Sequence, residues 1–169
     1  MNVKIKLSIL ILLLIFQSQL YAAEEKFAAG YQGTFPATGI SGKMKISNVI
    51  TAQAMIGFWG TLNTYAARGL YRFQEDKFWN AYGYGMLGFW SYRATVYDFS
   101  TFSNQEKTQF VLGFGGGAGI EYNWQAVAPD LPPIWFNLEL GFGSIKFNDL
   151  NYNVSGVLIG GGAHYRFDL

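Results

Sequence analysis

Two carboxylates and one histidine stand inside runs that are otherwise apolar. Glu139 lies in Asn137-Leu-Glu-Leu-Gly-Phe-Gly143, Glu121 in Gly117-Ala-Gly-Ile-Glu-Tyr-Asn-Trp124, and His164, the sole histidine, in Gly162-Ala-His-Tyr-Arg-Phe167. A carboxylate pair can cleave a glycosidic bond, and a histidine can activate a serine that it reaches by hydrogen bond. Neither chemistry is completed by the spacing. Ser155 is about 30 Å from His164 if both lie on one extended strand, and Ser91 and Ser144 fall toward the opposite end. A buried carboxylate without a partner is costly, so Glu121 and Glu139 need cations. The candidates are Lys43, Lys45, Arg68, Arg72 and Arg166. An enclosed ion network that includes His164 accounts for these residues better than a catalytic site, and no catalytic residue is assigned.

Other chemistries are absent from the sequence. With no cysteine, the chain has no disulfide, thiolate metal site, cysteine nucleophile or cysteine-linked lipid anchor. The run Gly113-Phe-Gly-Gly-Gly-Ala-Gly119 is glycine-rich but lacks the Lys-Ser/Thr ending and the strand–loop–helix setting of a phosphate loop. No metal-ligand spacing is present, no cofactor is implied, and no basic run suggests nucleic acid.

The elements that hold these residues follow a period of two. In the segment from Ile134, residues Phe136, Leu138, Leu140 and Phe142 alternate with Trp135, Asn137, Glu139 and Gly141. From Phe110, residues Leu112, Phe114, Ile120, Tyr122 and Trp124 alternate with glycines, Glu121 and Asn123. This is strand alternation. Eight segments show it, at 26–34, 39–46, 49–59, 63–74, 78–93, 107–123, 134–146 and 152–168. Several exceed the usual strand of about 5–6 residues and suit a membrane-crossing strand of about 9–11.

The N-terminus reads as a leader. Lys4 and Lys6 precede an apolar run from Leu7 to Phe16, and small residues lead to Ala22 and Ala23. This pattern is that of a secretory signal peptide over residues 1–22, cleaved near Ala22 or Ala23, followed by one domain over 23–169. Losing Lys4 and Lys6 takes the formal net charge of +1 to −1. The chain is 50% hydrophobic and only 14% charged, against about 25% charged in soluble domains.

Sorting the faces gives an inside-out barrel. One face carries Tyr31, Ile40, Met44, Ile56, Phe58, Tyr65, Tyr71, Phe73, Val157 and Ile159, and the same reading adds Tyr82, Tyr84, Met86, Trp90 and Tyr92. The other carries Gln32, Gln53, the basic set, both glutamates, His164 and Asp168. The expected fold is all-β: an eight-stranded antiparallel up-and-down transmembrane β-barrel with a lipid-facing apolar exterior and a polar packed lumen. A lipocalin-like barrel would need the nearly uncharged glycine face of the sixth segment as its solvated surface.

The ending adds a motif. Gly162, Tyr165 and Phe167 form a G-x-x-aromatic-x-aromatic pattern, followed by Asp168 and Leu169. It resembles the C-terminal signal read by the barrel-assembly machinery in bacterial outer-membrane proteins. Residues 24–169 as a whole resemble the small eight-stranded outer-membrane barrels, the group with the OmpX-like proteins and the membrane domain of the OmpA family. The resemblance does not extend to the OmpA family's periplasmic domain. It implies a monomeric barrel in the outer membrane of a Gram-negative bacterium, with outer-membrane lipids and the assembly machinery as partners. It implies no activity.

With the N-terminus in the periplasm, the longest outward segment is 94–106, carrying Tyr97, Phe99 and Phe102. It reads either as a partner-contact loop or as a ribbon that extends the wall. The expected function is non-enzymatic, structural in the envelope or acting through surface contacts. A barrel that handles lipids or small molecules, by narrow transport or catalysis, is the alternative, and a secreted lipocalin-like carrier a minor one.

Overall fold

The computed structural model describes residues 26–34, 37–59, 62–98, 102–147 and 152–168. The expected leader, its cleavage point near Ala22 or Ala23, Pro36, Phe99 and the turns at 60–61 and 148–151 lie outside the described residues. Eight strands follow in order: β1 (Phe27–Thr34), β2 (Ala37–Lys45), β3 (Ile50–Trp59), β4 (Leu62–Glu75), β5 (Trp79–Asp98), β6 (Ser103–Asn123), β7 (Ile134–Phe147) and β8 (Tyr152–Phe167). Each pairs antiparallel with the next, and β1 pairs with β8 from Phe27↔Phe167 to Thr34↔Gly160, closing the barrel. Closure removes the sheet edges that an open sheet would leave unpaired.

The turns at the end that carries the barrel's termini are held locally. Between β2 and β3, the Ser47 hydroxyl accepts the Ile50 amide at 3.1 Å, and the Ile46 amide donates to the Ile50 carbonyl at 2.9 Å. Between β6 and β7, a 3-10 turn at Trp124–Ala126 is capped by Asn123, whose side chain accepts the Gln125 amide at 3.0 Å. Pro132 and Pro133 then lead into β7.

The outer face is apolar through the middle of the wall. Ile40, Leu112, Leu138, Phe142 and Ile159 are all exposed there. Outward aromatic pairs sit toward both ends: Phe89 stacks on Phe110 at 5.5 Å, and Trp124 meets Phe136 edge-on at 5.7 Å.

One strand corrects the sequence reading. Tyr82, Tyr84, Met86 and Trp90 of β5 point inward and are buried, while Leu87 and Phe89 face out. Both faces of β5 are apolar, so alternation does not say which is outside. The glycine face of β6 decides it. A Cβ on Gly113 would lie 2.8 Å from the Trp90 ring, and one on Gly119 would lie 2.7 Å from the Tyr82 ring. The large β5 side chains occupy space that those glycines leave. The lumen therefore has two layers. Trp90, Met55, Met86, Val111, Ile145 and Leu158 form an apolar plug in the half away from the termini. The polar network fills the other half.

The segment at 94–106 takes the ribbon form, one of its two sequence readings. The β5–β6 ladder continues to Asp98↔Ser103, past the last described β4 pair, Leu62↔Tyr92. Residues 93–98 and 103–108 thus rise as a two-stranded ribbon in place of an open loop.

Candidate functional site

Glu139 is the centre of the lumen network. Its Oε2 accepts from Arg68 Nη2 at 2.7 Å and from the Thr34 hydroxyl at 2.7 Å. Its Oε1 accepts from the Tyr82 hydroxyl at 2.6 Å and from Asn137 Nδ2 at 3.1 Å. Register explains the convergence. Tyr82 pairs with Gly119, which pairs with Glu139; Glu139 pairs with Gly160, which pairs with Thr34. On each side a glycine separates Glu139 from its partner, so the side chains meet over a residue that has none. Arg68 comes across the lumen from β4 and lies 4.1 Å over the Tyr84 ring, a geometry in which the ring face attracts the cation.

Glu121 forms a second centre nearer the termini. Its Oε1 accepts from Lys43 Nζ at 2.5 Å and its Oε2 from Arg166 Nη2 at 2.9 Å. Lys43 of β2 and Arg166 of β8 flank Ala28 of β1 at one level of the barrel, and both reach the carboxylate. Arg166 also covers the Trp135 ring at 3.6 Å. Arg72 pairs with Glu75 at 2.8 Å at the mouth, where Lys45 lies beside it. Lys43, Lys45, Arg68, Arg72, Glu121, Glu139, His164 and Arg166 thus all sit on the inner face. Glu121 and Glu139 anchor separate ion clusters.

His164 departs from expectation. Its Nε2 is 2.9 Å from the Ser41 hydroxyl, although no serine is expected within reach. Gly30 of β1 pairs with both Ser41 and His164, so the two side chains meet across a residue without one. Their separation of 123 positions in sequence hides the contact. Gln53 Nε2 also donates to the Ser41 oxygen at 2.7 Å. Ser41 and His164 are 2% and 1% exposed, and His164 Nδ1 has no partner among the described residues. Among the described residues no carboxylate bonds the Nδ1 side of the ring, the position an orienting acid takes in a serine–histidine triad.

Sequence reasoning missed Thr34, Ser41 and Tyr82. The first two share parity with inward neighbours, Gln32 and Lys43, and could have been found that way; Tyr82 was lost with the face of β5. Among the described residues no three histidine, aspartate or glutamate side chains converge to hold a metal.

The assembly motif and the ribbon lie elsewhere. Gly162 points inward against Gln32 and Asn137, while Tyr165 and Phe167 stack at 6.3 Å. Tyr97 is exposed on the ribbon. Phe102 at its tip is 79% exposed and has a φ of 51°, the left-handed region.

No family model matches the chain, and no curated protein matches it in sequence. Solved structures do match in shape. The N-terminal β-barrel domain of Pseudomonas aeruginosa OprF superposes with a TM-score of 0.57 at 14% identity, covering 84% of this chain and 96% of that one. Neisserial surface protein A gives 0.47 at 14% identity, over 84% and 94% of the two chains. The Yersinia pestis outer membrane protein Ail gives 0.41 at 16% identity, over 85% and 100%. With its own strand order closed from β1 to β8, the chain has the fold of the small eight-stranded outer-membrane β-barrels, as seen in the OprF barrel domain.

Proposed function

We propose that this chain is an integral outer-membrane barrel that works without catalysis, through surface contacts made by the β5–β6 ribbon. Several features support the membrane reading. The apolar belt has the outward, charge-free character that a lipid-exposed barrel requires. Outward charges such as Arg93, Glu106 and Lys146 are exposed at one rim. A strand such as β3, with ten residues, has the length of about 9–11 needed to cross. Lipids surround the belt, the assembly machinery reads the Gly162, Tyr165 and Phe167 pattern, and the leader at 1–22 exports a chain that remains monomeric. With an even strand count the termini face the periplasm and the ribbon faces out.

The observation that carries the surface-contact reading is Phe102. A large apolar side chain is held exposed at the ribbon tip in a backbone region that costs roughly 1–2 kcal/mol for a residue with a Cβ. A glycine or asparagine would sit there with less strain. A phenylalanine there, with Tyr97 exposed on the same ribbon, fits an aromatic anchor for a partner.

The test compares cells that display the parent chain, Tyr97→Ser/Phe102→Ser, and His164→Ala. All are first checked for heat-modifiable gel migration, the mark of an assembled barrel. Surface attachment should require the parent ribbon and survive His164→Ala. If the parent confers no attachment, or if His164→Ala abolishes a lipid-modifying activity that the ribbon variant keeps, the reading fails.

A further inference from the structure

The connection between β6 and β7, at the end carrying the termini, is built as a rigid unit. Asn123 accepts the Gln125 amide at 3.0 Å, and the Gln125 side chain donates to the Leu131 carbonyl at 3.0 Å. The Val127 amide donates to the Trp124 carbonyl, and the Leu131 amide to the Ala128 carbonyl. Pro129, Pro132 and Pro133 have no amide to satisfy. A segment that bonds much of its own backbone in this way is suited to a layer poor in water.

Its apolar side chains gather on the side of the lipid belt. Trp124–Ala126 is a 3-10 turn closed by the Val127 amide. In that geometry side chains three positions apart eclipse, so Val127 stands over Trp124. Trp124 meets Phe136 edge-on at 5.7 Å on the outer wall. Phe136 pairs with Tyr122, and Tyr122 with Trp79. All five side chains are exposed, Val127 most of all at 69%. Phe136 is followed on the same face by Leu138, so the apolar surface of the turn continues that of the belt.

The chemistry of this surface is that of a membrane boundary. Indole and phenol rings join an apolar body to a polar tip, which suits the level where headgroups meet acyl chains. Asp130, exposed at the following turn, keeps the segment from going deeper, because an ionised carboxylate is costly in hydrocarbon.

We propose that the turn at 124–131 lies in the headgroup layer of the leaflet at the termini end, with Trp124 and Val127 seated against lipid. The proposal rests on the membrane reading of the belt and is independent of the ribbon.

The experiment places nitroxide labels at Val127→Cys, Asp130→Cys and Leu138→Cys, in a chain that has no cysteine of its own. Each variant is checked for heat-modifiable migration and reconstituted into vesicles of phosphatidylethanolamine and phosphatidylglycerol. Power saturation then compares collisions with oxygen, which concentrates in lipid, and with a water-soluble nickel chelate. The Val127 label should meet the nickel chelate several-fold less than the Asp130 label does, and oxygen less than the Leu138 label does. A Val127 label as open to nickel as Asp130, with Leu138 still shielded from it, overturns the proposal and leaves the membrane reading standing. A Leu138 label open to nickel overturns both. A Val127 label shielded from both probes gives this face to a protein contact in place of lipid, which also overturns the proposal.

Discussion

Glu139 accepts four hydrogen bonds in the lumen, from Arg68, Thr34, Tyr82 and Asn137, which nearly exhausts the acceptor capacity of a carboxylate. Arg68 is satisfied less completely. Its Nε and Nη1 have no hydrogen-bond partner among the described residues, so its burial depends on Glu139 and on the Tyr84 ring. This asymmetry makes a prediction. Glu139→Gln keeps the shape but leaves Arg68 buried without a counter-charge, a change that costs about 3–5 kcal/mol when a buried pair is broken. Arg68→Met/Glu139→Met removes both charges together and should cost much less than the sum of the two single changes. Urea-induced unfolding of the barrel in detergent measures this cycle. Single variants that each lose under about 1 kcal/mol, the range of exposed pairs, would mean that water reaches the network freely.

At the scale of the element, β5 is the strand on which the sequence is least informative. On β6 and β7 one face carries Glu121, Asn123, Asn137 and Glu139 while the other is apolar from Phe110 to Tyr122 and from Phe136 to Phe142, so inside and outside can be read directly. On β5, tyrosine, methionine and tryptophan alternate with glycine, leucine and phenylalanine, and the choice depends on the neighbouring strand. The glycines of β6 make the choice, yet pairing β5 with β6 in register must come first. The Ser41–His164 contact is illegible for a related reason, since it needs three strands in register across the barrel closure. Because the chain has no cysteine, single-cysteine variants test β5 cleanly. Spin labels at Leu87 and Phe89, which face out, should show high accessibility to oxygen dissolved in the lipid. Labels at Tyr84 and Met86 should be shielded or should impair assembly. The reverse pattern would flip every side chain on this strand.

Across the whole molecule the two lumen layers are built from different chemistry, apolar around Trp90 and ionic around Glu139. The apolar plug around Trp90 resists hydration, and the ion network below it fills the lumen with charged groups that hold one another. Eight strands leave an interior that side chains fill, so the parent protein should give no large stable conductance in a planar bilayer. The layers also act in series, which makes a sharper prediction. Trp90 is fully buried, and Trp90→Ala should lower stability by about 3–5 kcal/mol, yet the barrel should stay closed because the Arg68–Glu139 layer is intact. Arg68→Ala/Glu139→Ala should likewise stay closed behind the apolar plug. Only the triple variant, once shown by heat-modifiable migration to be assembled, should conduct. Steady channels from either partial variant would place the entire barrier in the layer that was removed, and the second layer would then contribute to stability without sealing the lumen.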